Sequence, residues 1–227
     1  SASPRARAPD LSGPDVGVVV VADARELAAL AVYDRRLWWL TTTPPRVQSA
    51  PIAGGQSKTL FESRAEGDFG GTLVVDSTGL YWTIESEARH SEPIYFLPAP
   101  VSAAARTPLE PLGVGVAPRN LVLEGGPLTW SNLGALMTLG ADRSPRELAN
   151  RQRRITTVTR CDGRLAWIEV PYEGGERPRL MLLGAGEDRP RPLSELAAGE
   201  HDLLHCQKGA LHWIFEGPQE DSWLMSA

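Results

Sequence analysis

The chain has 227 residues, 23 Lys and Arg against 28 Asp and Glu, and a net charge of −5 with both signs scattered along its length. That balance argues against nucleic acid or an anionic membrane as the main partner, and the one basic cluster, Arg151, Arg153 and Arg154, is too short to reverse it. The longest apolar run, residues 16–22, falls well short of the roughly 18 residues that a membrane helix needs, so no membrane insertion is expected.

Residues 1–15 are rich in Pro, Arg, Ser and Ala and read as a flexible segment left after processing, which points to an exported, secreted or periplasmic protein. Residues 16–21 (Val-Gly-Val-Val-Val-Val) form a first strand that has no repeat of its own. From there the chain is organised by one recurring string. Leu37-Trp38-Trp39, Leu80-Tyr81-Trp82, Leu128-Thr129-Trp130, Leu165-Ala166-Trp167 and Leu211-His212-Trp213 place five of the seven tryptophans in a single register, at intervals of 43, 48, 37 and 46 residues. A period of roughly 40 to 50 residues belongs to propellers and other repeat arrays.

Each copy opens as a hairpin. In the second, residues 72–76 are β-rich, Ser77-Thr78-Gly79 is a tight turn, 80–85 is the return strand, 93–98 a third strand and 106–111 a short fourth. The first copy runs 27–33, turns at Asp34-Arg35-Arg36, returns over 37–40 and continues through 46–52 and 58–62. The third has 120–123, 128–131 and 135–139; the fourth 156–160, 165–170 and 179–183; the fifth 202–206, 210–215 and 222–225. Gly113-Val114-Gly115 reads as a connector. Ser144-Pro145-Arg146-Glu147 is a capping-box pattern that offers a short helix over 145–154 as the alternative to an outer strand, and 194–198 carries a fainter version.

The fifth copy ends at its third strand, while 16–21 is a strand without a hairpin. The expected architecture is therefore all-β, a five-bladed β-propeller of four-stranded antiparallel blades spanning 16–227, closed by the N-terminal strand as the outer strand of the fifth blade; six blades is the alternative. Leu and Trp in each string are two apart and share a strand face, so the tryptophans are expected to pack between blades.

Asp76-Ser77-Thr78-Gly79-Leu80-Tyr81-Trp82-Thr83 resembles the repeat of the YWTD-type β-propellers and their bacterial relatives, in which a Leu/Val-Tyr-Trp-Thr strand follows an Asp-x-x-Gly hairpin. The family's Asp after Thr is Ile84 here, and only this copy keeps Tyr-Trp-Thr intact. The resemblance implies a propeller, commonly in an extracytoplasmic binding role.

Catalytic and cofactor signatures such as Gly-x-Ser-x-Gly, His-Glu-x-x-His, Cys-x-x-Cys and the phosphate-binding Gly-rich loop do not occur, so no cofactor is expected. Three of four histidines, His201, His205 and His212, fall within twelve residues, but their spacing matches no zinc pattern and they read as structural or surface groups, with no metal expected. Cys161 and Cys206 stand six and seven residues before Trp167 and Trp213. Two small buried thiols is the favoured reading over a disulfide between neighbouring repeats.

Loops joining fourth to first strands and second to third strands share one end of such a propeller, and the other end carries mainly tight turns. The loop-rich end would gather Asp68, Phe69, Arg89, His90, Arg151, Tyr172, Glu173 and His201 as binding residues, and a pocket is expected there. The favoured function is a non-enzymatic module presenting that face to a protein or glycan; the alternative is a hydrolase or lyase working in the central channel with carboxylates and His201 or His90.

Overall fold

A computed structural model of the protein describes residues 26–63, 65–86, 92–99, 110–115, 118–132, 134–150, 153–172, 176–216 and 222–227. The expected strand over 16–21, and with it the closure of the ring, lies outside the described residues.

The described chain is built from five antiparallel sheets taken in sequence order. The first is β1 (Leu27–Tyr33), β2 (Arg36–Thr41), β3 (Arg46–Pro51) and β4 (Lys58–Glu62); the second is β5 (Asp68–Val75), β6 (Gly79–Ser86), β7 (Glu92–Pro98) and β8 (Glu110–Gly115). The third is β9 (Pro118–Val122), β10 (Thr129–Asn132), β11 (Ala135–Leu139) and β12 (Pro145–Asn150); the fourth is β13 (Arg153–Cys161), β14 (Arg164–Pro171), β15 (Arg179–Leu183) and β16 (Arg191–Glu195). The fifth holds three described strands, β17 (Glu200–Gln207), β18 (Ala210–Glu216) and β19 (Ser222–Ser226).

Turn chemistry fixes the hairpins. β13–β14 and β17–β18 are joined by two residues, Asp162-Gly163 and Lys208-Gly209, all four at positive φ, which matches the right-handed twist of the paired strands. The β1–β2 turn has the same geometry with Asp34 and Arg35, at φ of 48° and 56°, and no glycine.

The sheets pack face to face through one apolar cluster per seam. Trp38, Leu40 and Val47 meet Leu73, Leu80 and Trp82; Tyr81, Ile94 and Phe96 meet Leu121, Leu128 and Trp130. Val122 and Leu136 meet Val158, Leu165 and Trp167, and Ala166, Ile168 and Leu180 meet Leu204, Leu211 and Trp213. In sheets two to five the repeat tryptophan faces the preceding sheet, while Tyr81 and Ala166, one position before it, face the following one, as the alternation of a strand requires. The interior role expected for the tryptophans is what the structure has: Trp39, Trp82, Trp130, Trp167 and Trp213 are all buried.

Polar bonds also join neighbouring sheets, the first from the residue after β2 and the other two between inner strands. Thr42 O accepts from Gly70 N at 2.9 Å, Thr156 O from Asn120 Nδ2 at 3.0 Å, and Thr157 Oγ1 from Leu204 N at 3.2 Å. Arg160 crosses from the fourth sheet to Pro127 O and Thr129 Oγ1 of the third, both at 3.2 Å, and burial pushes its guanidinium below its usual range. The first strands β1, β5, β9, β13 and β17 thus stand side by side, each in contact with the next.

The Gly70 position shows how closely β5 approaches the end of β2, since a Cβ built there would overlap Thr41 O of the first sheet. Gly70→Ala is expected to cost about 1–3 kcal/mol. In a thermal melt, about 1 kcal/mol corresponds to roughly 2–4 °C in a chain of this size. An unchanged Tm would show that the seam between the first two sheets is not this tight.

Residues 145–150 and 191–195 are outer strands and not the alternative short helices, because Pro145–Asn150 and Arg191–Glu195 pair with β11 and β15 and tertiary pairing overrides the capping pattern. Two local expectations are corrected by the structure. Gly113-Val114-Gly115 lies within β8, paired to β7, and is not a connector. Cys161 and Cys206 form a disulfide. They close the fourth and fifth hairpins on adjacent first strands, which sets their Cα atoms 5.3 Å apart, within reach of a bridge.

Candidate functional site

Register places the expected loop-rich end. Asp68 pairs with Ser86, Arg153 with Pro171, and Glu200 with Glu216, so the starts of β5, β13 and β17 lie at the same end of their sheets as the ends of β6, β14 and β18. Of the predicted binding residues, Arg89, His90, Arg151 and Glu173 lie outside the described residues. The other four do stand at this end, but two of them are interior.

Asp68 is the first residue of β5, not a loop residue; it is buried and its Oδ2 accepts from Ser63 Oγ at 2.5 Å, fixing the turn that enters the strand. His201 is the second residue of β17 and only 3 % exposed, with Nε2 2.9 Å from Ala197 O and its ring 5.0 Å from that of Phe215. Phe69 is half-buried, and Tyr172 is 59 % exposed.

Beyond His201 the register continues outward: His201 pairs with Phe215, and Phe215 with Trp223, which is 57 % exposed. The fifth sheet therefore carries an aromatic row from its inner strand to its last described strand at the loop-rich end. The row is legible in the sequence only once the strand register is known.

The same end of the fourth sheet holds a buried charged group that sequence reading missed. Glu169 on β14 is 1 % exposed; its Oε1 accepts from Trp167 Nε1 at 3.0 Å and its Oε2 lies 3.9 Å from Arg153 Nε. Arg153 also forms an ion pair with Glu176 and donates to Arg177 O, tying the chain that enters β15 back onto the first strand. The available signal was Glu169 itself, the single charge between Leu165 and Val170 in an otherwise apolar strand. With each charge paired, the cluster reads as a scaffold for the loop.

The described residues form a concavity at the other end. A cleft of about 490 Å³ opens between the β1–β2 and β5–β6 turns and is lined by Tyr33, Asp34, Arg36, Trp38, Asp76 and Ser77, with Val75 and Ala99. Arg36 is held in place by donating to Ser49 Oγ at 2.9 Å and lies 5.6 Å over the Trp38 ring. Asp76 Oδ1 accepts from Thr78 N at 2.7 Å and Thr78 Oγ1 at 2.6 Å. The pocket expected at the loop-rich end rests in part on residues outside those described, and this cleft lies instead between the turns of the first two sheets.

Of the histidine group, His205 and His212 face each other across the β17–β18 pair, and among the described residues no set of three metal-ligating side chains comes together.

No family model matches the chain, and no curated protein matches it. Solved structures do. One, described as a nidogen/laminin complex, is 17 % identical with a TM-score of 0.60, over 84 % of this chain and 72 % of that one. Another, from a study of two prolyl endopeptidases, is 12 % identical with a TM-score of 0.60, over 88 % of this chain but only 34 % of that one. At such identities the likeness is one of fold, and the fold is a β-propeller of antiparallel sheets, several of them four-stranded.

Proposed function

We propose that the chain is a non-enzymatic interaction module whose loop-rich end receives a protein partner. The observation that carries this reading is the exposed aromatic pair at that end, Tyr172 after β14 and Trp223 at the outer end of the His201–Phe215–Trp223 row. Large aromatic side chains more than half exposed on a rigid frame are what protein interfaces use as anchors, because they bury much area and lose little conformational freedom. The nidogen/laminin structure, a complex of two proteins, is in keeping with this use of the fold.

The finer architecture belongs to the same proposal. The ring has five blades of YWTD-like type and closes between the first and fifth sheets, with residues 16–21 as the missing fourth strand on the edge of β19. The first sheet supports this: Leu30 and Val32 of β1, 51 % and 59 % exposed, pair with Trp39 and Leu37 and share with them the face that in every later sheet meets its predecessor. On the fifth sheet, Ile214 and Leu224 occupy the corresponding forward face opposite Trp213. The Cys161–Cys206 bond supports an oxidising, extracytoplasmic location.

The test is affinity capture from extracytoplasmic extracts with the full chain, its Trp223→Ser and Tyr172→Ser variants, and a parallel hydrolase screen. Each substitution is expected to reduce retention of the captured protein about tenfold, the scale of an interface hot spot, without changing Tm. Turnover in the screen together with capture indifferent to both substitutions would refute the reading.

A further inference from the structure

We infer that the cleft between the first two sheets is a binding site for a neutral saccharide, one or two sugar rings in size. The inference stands apart from the protein-docking reading, since the cleft lies at the opposite end of the sheets.

Size comes first. At about 490 Å³ the cleft falls within the roughly 300–1,000 Å³ of small-molecule sites. Its chemistry is mixed in a specific way. The carboxylates of Asp34 and Asp76 accept hydrogen bonds, the Arg36 guanidinium donates, and Tyr33 and Ser77 hydroxyls do either, beside apolar Val75 and Ala99, while Trp38 is almost wholly buried beneath the lining. A sugar ring carries adjacent hydroxyls that each donate and accept, next to a face of C–H groups. Both halves of the cleft have a counterpart in such a ring.

Charge narrows the ligand class. Two carboxylates against one guanidinium disfavour a phosphate, sulfate or uronate, and the fixed Arg36 disfavours an ammonium or guanidinium ligand. A neutral polyol satisfies all three groups without charge matching. The polar groups are also held before any ligand arrives: Arg36 by Ser49 and the Trp38 ring, Asp76 by Thr78. Preorganisation of this kind lowers the ordering cost of binding.

The turn that carries Asp34 departs from its counterparts. The fourth and fifth sheets place Gly163 and Gly209 at the second turn position, whereas the first sheet holds Arg35 there at φ 56° directly after Asp34 at 48°. A two-residue hairpin turn requires positive φ at both positions, and this rigid turn fixes where Asp34 stands in the cleft lining.

The experiment is saturation-transfer difference NMR on the full chain with glucose, galactose, mannose, N-acetylglucosamine and their disaccharides, and with glucuronate and arginine amide as charged comparators. The expected result is a Kd on the order of 1 mM for at least one neutral sugar. Asp34→Asn and Tyr33→Ala should each weaken it about tenfold or more, while Tyr172→Ser leaves it unchanged. Asp34 is exposed and Asn tolerates the same backbone conformation, so D34N keeps the fold even where Y33A does not. No neutral sugar binding, preferential binding of either charged comparator, or binding indifferent to D34N would overturn the inference.

Discussion

Reducing the Cys161–Cys206 bond should lower the free energy of unfolding by about 4 kcal/mol, the chain-entropy value for a 45-residue closed loop. The bond joins the last two described sheets of the array, so the loss should be local before it is global. Repeat arrays derive stability from each unit and its neighbour contacts. The fifth sheet has one described seam, the cluster of Leu204, Leu211 and Trp213 against the fourth, and the disulfide crosses that seam. Equilibrium urea unfolding with and without a phosphine reductant measures the total. Amide hydrogen exchange should show protection falling first across 200–226 and last across the second sheet. The Cys161→Ala/Cys206→Ala double variant should reproduce both results, and a change below about 1 kcal/mol in either experiment would contradict the role assigned to the bond.

Trp167→Ala should cost about 3–5 kcal/mol, the range for truncating a fully buried large aromatic side chain. Trp167 is 0 % exposed and fills the seam between the third and fourth sheets with Val122, Leu136, Val158 and Met181. Its removal also takes the 3.0 Å donor away from Glu169, a carboxylate that is itself 1 % exposed. A buried acceptor deprived of a donor adds its own penalty to the cavity. The contrasting substitution is Trp223→Ala, which removes the same side chain from a position 57 % exposed and should stay within about 0.5 kcal/mol. Urea midpoints at constant m-value compare the two. Equal costs would mean that the repeat tryptophans are not the seam-filling elements.

The two substitutions also separate what is local in this chain from what is not. The Leu-x-Trp register, the hairpins at Asp162-Gly163 and Lys208-Gly209, and the order of the first three strands within each repeat were legible because period-two alternation and positive-φ turn residues act over a few positions. From that register alone the tryptophans were placed in the interior, and the structure puts Trp39, Trp82, Trp130, Trp167 and Trp213 there.

Relations between repeats were a different matter. Asp68 and His201 looked like loop residues offered to a ligand, but β5 and β17 begin earlier than their apolar runs because the neighbouring β6 and β18 extend far enough to pair with them. Both side chains are consequently interior, one under Ser63 and the other against Phe215. The buried Arg153–Glu169 contact joins residues sixteen positions apart whose meeting depends on strand register. The equivalent positions of Cys161 and Cys206 in their repeats do not by themselves decide between thiols and a bridge; the contact of β13 with β17 brings them to bonding distance. The cleft at Tyr33 and Asp76 exists because two turns 43 positions apart stand beside each other without filling the space between them.

The sequence by itself thus determined the repeat, its hairpins and its packing residues, all of which follow from the stereochemistry of neighbouring positions. Tertiary structure decided which faces meet, which polar groups are buried with a partner, where the disulfide forms and where the surface is concave. Those features arise from contacts across the seams, between residues that no local pattern relates to one another.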